Sequence, residues 1–219
     1  MKKIGTILIV IILAVIIFLF VSPEFQKIVG INKTPPKIGV QPFGNIPAVE
    51  VDSVANAIEK MFGFKTIILE NKPLPDMAYT EIRYPRYRAD SLLKWLAFNP
   101  VDSADVLIGL TNKDISITKY KKGSKEIKDP EWKYKDFGIY GLGAINGNAC
   151  VVSSNRLHNN VSSAIFYKRL CRISCHEIGH VLGLRHCPEK NCLMNDANES
   201  IHNIDISTGN LCKKCWSKI

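Results

Sequence analysis

The sequence predicts an α+β domain: a mixed, mainly parallel sheet with helices packed on it, one of them bearing a site, preceded by an N-terminal transmembrane helix. Three observations lead there. Short apolar strand-like runs alternate with helical periodicities from Lys37 onward, a long helical period over the 160s and 170s ends in His176-Glu177-Ile178-Gly179-His180, and an uncharged apolar run opens the chain. With 219 residues, 46% apolar and 22% charged, the chain can bury a core of ordinary size, which excludes wholesale disorder. The formal net charge of +9 suits nucleic acid, an anionic membrane surface or an acidic substrate equally well, so charge alone selects no function.

Met1, Lys2 and Lys3 precede the apolar run, which extends over 18 residues from Ile4 to Val21. As a helix it would reach about 27 Å, close to the roughly 30 Å hydrocarbon core of a bilayer. A cleavable signal is the rival reading, but Phe18 to Glu24 offer no run of small residues at which to cut. The expectation is therefore an anchor over residues 1–22, making a membrane partner through residues 4–21. Lys2 and Lys3 place the N-terminus inside and the folded domain outside the cytoplasm, an inference that Lys27, Lys33 and Lys37 weaken. Residues 23–36, ending in Thr34, Pro35 and Pro36, read as a linker, and residues 37–219 as the folded domain.

Within that domain Ile38 to Phe43 reads as a strand, and Pro47 opens a helix with Val51, Val54, Ala55, Ile58 and Phe62 at helical spacing. Phe64 to Leu69 and Ala104 to Leu110 are expected as strands, with a helix over Ala89 to Phe98 between them. Phe137 to Leu142 and Ala149 to Ser153 form a strand pair around Asn146 and Gly147, a hairpin turn signal. Residues 119–136 mix seven lysines with Glu126, Asp129, Glu131 and Asp136, the pattern of a solvated loop rather than a polybasic lipid or nucleic-acid patch.

Ser162 or Ser163 is placed to cap the next helix, which carries Ile165, Phe166, Leu170, Ile173 and Ile178. Four residues apart, His176 and His180 lie one turn above the other on one face and can reach one ion. Gly183 is free to take a positive φ and turn the chain back, so that His186 arrives as a third ligand. Three neutral nitrogens around zinc leave a position open for water, whose pKa the metal lowers toward about 7. Glu177, beside the first ligand, is the candidate general base, and that set suits peptide-bond hydrolysis. A bare pentapeptide of this form also occurs on solvated surface helices; Gly183 and His186 add two further geometric requirements that chance does not meet.

Cys187 directly follows the third histidine, Cys192 follows it, and Cys212 and Cys215 form a closing pair. Such pairs suit a four-thiolate structural zinc, two ions per chain in all, with a binding free energy on the order of 10 kcal/mol available to fold the C-terminal segment. Two disulfides are the rival, favoured by an oxidising compartment. The spacing argues for zinc. Cys150, Cys171 and Cys175 read as small buried residues, and His158 and His202 as surface side chains.

Residues 176–195 read HEIGHVLGLRHCPEKNCLMN, and after seventeen residues beyond Met194 comes CKKC over 212–215. In this the chain resembles the archaemetzincins, a family of metzincin zinc metallopeptidases, whose pattern it meets at every fixed position. The resemblance implies that His176, His180 and His186 bind the catalytic zinc, that Glu177 is the base and that Cys187, Cys192, Cys212 and Cys215 bind a second zinc. It implies that Met194 forms the Met-turn, with Gly183 supporting, in a compact metzincin-type domain from about Lys37 to Trp216. Weaker likenesses involve Arg83, Tyr84, Tyr87, Leu110, Thr111, Asp114, Ser153, Arg156 and Leu157. Phe137 to Gly143 would be the edge strand along which an extended substrate lies, as an unpaired edge can bond a peptide backbone without reading its side chains. The apolar N-terminus departs from the family, so location is not carried over.

The expected activity is thus hydrolysis of a peptide or protein by a monomer, without nucleic acid. A non-catalytic zinc-stabilised module is disfavoured by Glu177, and a nucleic-acid-binding zinc ribbon by the lack of aromatic residues interleaved with a basic run.

Overall fold

The computed structural model describes residues 34–196 and 199–219. The architecture below is that of Pro36–Ile219, which forms one compact unit.

Strand β1 (Ile38–Phe43) is buried along its whole length, as a central strand must be when both faces are covered. Helix α1 (Ala48–Phe62) follows Pro47 and stops at Gly63, whose φ of 70° and N–H bond to the Glu59 carbonyl turn the chain away. After β2 (Thr66–Ile68) come β3 (Tyr79–Thr80), β4 (Arg86–Arg88) and α2 (Ala89–Phe98), then β5 (Val106–Thr111) and β6 (Ile115–Ile117). A one-turn helix α3 (Glu131–Tyr134) precedes β7 (Phe137–Ile139), β8 (Gly141–Gly143) and β9 (Ala149–Ser153). The chain ends through α4 (Ser163–Val181), α5 (His202–Ile206) and α6 (Lys213–Trp216).

The main sheet has the order β2-β1-β5-β9-β8, parallel throughout except for the antiparallel β8–β9 pair, with Gly141 opposite Val152 and Gly143 opposite Cys150. Alternation along β5 divides the core. Ile108 and Leu110 join Val54 and Ile58 of α1 and Leu170 and Ile178 of α4 on one face, while Leu107 joins Leu92 and Leu96 of α2 on the other. A second sheet, β3-β4-β6-β7, is pinned through Arg86, which pairs with Asp114 at 3.2 Å and Asp136 at 3.5 Å, and through Arg156, which grips the same Asp114 with two nitrogens.

Several expectations are corrected here. The class is mixed α/β, not α+β with a membrane helix, because parallel strands are covered by helices on both faces. The run Ile4–Val21 lies outside the described residues, and no helix among those described is long and apolar enough to cross a membrane. The longest, α4, carries Lys168, Arg169, Arg172 and Glu177, charges that hydrocarbon would penalise heavily. A single-pass anchor, a membrane partner and an extracytoplasmic placement accordingly have no support. The single strand expected over 137–142 breaks at Tyr140 into β7 and β8, which belong to different sheets. Ser162 holds the N-cap position of α4 without a side-chain capping bond. The loop over 119–136 contains α3, and its Lys119, Lys128 and Lys133 converge on the Glu199 carboxylate at 3.1, 3.2 and 3.2 Å.

One ion pair gives the fold an acid sensitivity. Arg169 holds Asp205 through two bonds of 2.8 and 2.7 Å, tying α5 to α4, and its guanidinium lowers the Asp205 pKa below the ordinary aspartate value. A depressed folded-state pKa means stability that is present above the unfolded value of about 3.9 and is lost as pH falls through the folded one. Asp205→Asn should therefore lower the melting temperature at neutral pH and flatten its fall below about pH 4 relative to the parent. A parallel fall in both proteins would show that this pair does not contribute.

Candidate active site

Helix α4 turns Arg172, Ile173, His176, Glu177 and His180 toward a cleft of about 860 Å³ whose opposite wall includes Tyr140 and strand β8. The ring centroids of His176, His180 and His186 lie 4.7, 5.4 and 5.0 Å apart in pairs, and one ring nitrogen from each falls within 4.8 Å of the other two. Their outer nitrogens are committed elsewhere. His176 Nδ1 sits 2.7 Å from the Leu193 carbonyl oxygen and His180 Nδ1 2.7 Å from that of Leu184, bonds in which the ring N–H donates and Nε2 is left with its lone pair. His186 Nδ1 faces Asp196 Oδ2 at 3.4 Å. Burial, with the neighbouring imidazoles, brings the His176 pKa down to about 3, and burial lowers that of His180, so both rings are neutral donors near pH 7.

The turn between His180 and His186 bends at a glycine. Gly183 has φ of 93°, and a Cβ there would lie 2.3 Å from Asn146 Oδ1 of the β8–β9 turn. A feature the sequence did not signal is the pairing of Gly179 with Met194. Met194 is wholly buried, and a Cβ on Gly179 would come 2.5 Å from its Sδ, so the glycine inside the histidine motif makes room for the methionine beneath it. Gly179→Ala is expected to cost about 1–3 kcal/mol by overpacking. Met194→Ala in the same chain should recover part of that loss, and purely additive melting temperatures would sink the account.

Glu177 is buried against β8. Burial pushes its carboxyl up to about 8, opposed in part by a bond from the Gly143 N–H. The close approach depends on the two glycines of β8: a Cβ at Gly141 would meet Glu177 Oε1 at 2.8 Å, and one at Gly143 would meet the Glu177 carbonyl oxygen at 2.7 Å. β8 is the last strand of its sheet, so the carboxyl stands beside a strand edge that lines the cleft.

Behind the histidines, the Sγ atoms of Cys187 and Cys212 are 3.8 Å apart and those of Cys192 and Cys215 3.7 Å, all four lying within 4.8 Å of one another. A tetrahedron of sulfurs about 2.3 Å from a central zinc has edges of about 3.8 Å, whereas a disulfide needs about 2.05 Å. The donor set fits a metal, and all seven cysteines are free thiols. The Cys212 N–H points at Cys192 Sγ at 3.4 Å, and a backbone bond within the 212–215 turn leads in lowering the Cys212 pKa to about 7, favouring thiolate. Of the remaining residues weighed, Cys150 and Cys175 are core side chains whose pKa burial raises, Cys171 is half-buried with its Sγ 3.5 Å from the Ser53 carbonyl, and His158 and His202 are exposed away from the cleft.

Three convergent imidazoles on a helix and its following turn, a buried carboxyl beside the first of them and a buried methionine packed against Gly179 of that helix, all beside a mixed sheet, are the features of a zinc metallopeptidase of the metzincin class. The chain belongs to Peptidase family M54, whose model matches residues 87–219. It is 30% identical to the archaemetzincin of Archaeoglobus fulgidus over 84% of this chain and 98% of that protein. With the archaemetzincin of Natronomonas pharaonis it shares 26% over 83% of this chain and 98% of the relative. The crystal structure of the Archaeoglobus fulgidus protein complexed with malonate superposes with a TM-score of 0.65, covering 84% of this chain and 99% of that one at 30% identity. The Methanopyrus kandleri archaemetzincin gives 0.64 at 26% identity, over 84% and 92% of the two chains.

Proposed function

We propose that residues 37–219 form a peptidase domain that hydrolyses peptide bonds by water attack, with His176, His180 and His186 holding the catalytic zinc and Glu177 serving as general base. Zinc in that position supplies Lewis acidity and brings the pKa of water toward about 7. One carboxylate oxygen of Glu177 would accept the proton of the attacking water and pass it to the departing amine. The Leu193 and Leu184 carbonyls orient the first two rings, Asp196 orients the third, Gly183 turns the chain and Met194 supports the floor. Strand β8 offers its edge to the extended backbone of a peptide. Cys187, Cys192, Cys212 and Cys215 hold a second, structural zinc, which fastens the C-terminal segment beside the site.

The observation that carries this reading is the commitment of two Nδ1 atoms to carbonyl oxygens, which presents both Nε2 lone pairs to one point next to a buried carboxyl. Elemental analysis of the purified chain should find about two zinc ions. His186→Ala should retain about one and hydrolyse no peptide. Hydrolysis that persists after exhaustive chelation would refute the proposal.

A further inference from the structure

The cleft holds more cations than acids, and the surplus is concentrated near the histidines. Arg86 and Arg156 are neutralised by Asp114 and Asp136. Lys119, Lys128 and Lys133 share the single carboxylate of Glu199. Among the described residues lining the cleft, Arg83, Arg172 and Arg185 have no ion-pair partner, and Arg83 instead lies over the Tyr84 and Trp132 rings. Arg172 is the most informative of the three. It is half-buried, its Nη1 donates to the Ile204 and Asp205 carbonyl oxygens at 2.8 and 2.9 Å, and the nearby Asp205 carboxylate is already taken by Arg169. Two carbonyls orient the guanidinium, and the Asp205 carboxylate, bonded to Arg169, offsets its charge only in part, so partial burial leaves it more demanding of an anion than it would be in water.

Its position sets where such an anion would lie. Arg172 precedes His176 by four residues on the same helix face, about 6 Å along the axis, and an extended peptide advances about 3.3 Å per residue. A substrate extended along α4 would therefore meet Arg172 about two residues from the scissile bond. Resting on the peptidase reading above, we propose that the cleft selects substrates bearing a carboxylate about two residues from the scissile bond, with Arg172 as the side chain that binds it. The carboxylate comes from an acidic side chain or from the free C-terminus of a short peptide. Guanidinium and carboxylate match in charge and in planar donor geometry, while an amide in the same place leaves the charge unanswered.

The test measures binding to the zinc-loaded full chain carrying Glu177→Gln, so that nothing is consumed. Three labelled peptides of equal length are compared: glutamates flanking the central bond with an amidated end, glutamines with an amidated end, and glutamines with a free C-terminal carboxylate. At least one carboxylate peptide is expected to bind about tenfold or more tightly than the glutamine amide, with a difference that shrinks as salt is raised. Which of the two does so identifies the source of the carboxylate. Arg172→Gln keeps a donor for the Ile204 and Asp205 carbonyls without the charge, and should reduce the preference to less than about twofold. Arg172→Lys should keep part of it, and Lys60→Met, outside the cleft, should leave it intact. Equal affinity for all three peptides, or a preference that survives Arg172→Gln, overturns the proposal. Absence of hydrolysis by the parent enzyme alongside a retained preference would instead count against the peptidase reading alone.

Discussion

Glu177→Gln is expected to lower kcat by about 10²–10⁴-fold while leaving zinc content, melting temperature and KM nearly unchanged. The expectation rests on geometry: the carboxyl is enclosed between α4 and β8, next in sequence to His176, and is held there by the Gly143 N–H, so it faces the water that the histidine site would hold. Glutamine is nearly isosteric and retains an oxygen for the Gly143 N–H, so packing against the two glycines of β8 is preserved. Single-turnover hydrolysis of a quenched peptide, read beside metal analysis, separates lost chemistry from lost metal. A variant within threefold of the parent would mean that another group moves the proton.

The second large effect is expected at the sulfurs. Cys215→Ala should release about one zinc per chain and lower the unfolding free energy by more than about 3 kcal/mol, since structural zinc sites contribute directly to folding. Cys171→Ala, which removes a half-buried thiol outside the four-sulfur cluster, should retain both metals and most of the stability. The sulfur distances favour the metal reading of the cysteines over two disulfides, because 3.7–3.8 Å matches the edge of a thiolate tetrahedron and is far beyond a covalent bond. If Cys215→Ala kept full zinc and an unaltered melting curve, the structural role would fall.

The elements most legible in the sequence are those in which residue type and burial agree. β1, α2 and β9 run over the residues their periodicity marks, because each is apolar on the faces it buries. β4 and β6 were not legible. They are three-residue strands, Arg86-Tyr87-Arg88 and Ile115-Ser116-Ile117, too short to show a period, and both their strand partners and the Asp114 and Asp136 carboxylates that pair with Arg86 are distant in sequence. At the site, spacing brought the histidines together on paper because they depend on local chain geometry, whereas the meeting of Cys187 and Cys192 with Cys212 and Cys215 joins pairs distant in sequence and was expected from their matched pairing and the family resemblance. What spacing could not reveal were the acceptors behind the rings, since two are backbone carbonyls that any residue could supply. The role of Gly179 was equally hidden: an unremarkable letter between two ligands acquires its meaning only when Met194 is seen beneath it.

The two donor clusters are also separated by very little chain. Cys187 is bonded covalently to His186, its N–H is bound by the Met194 carbonyl at 2.8 Å, and Leu193, whose carbonyl steadies His176, directly follows Cys192. On the proposed assignment, an oxidant that converted the thiolates to disulfides would pull on both ends of that segment at once. Peroxide could then silence this peptidase without reacting with a single imidazole, and a thiol reductant supplied together with fresh zinc would be needed to restore it.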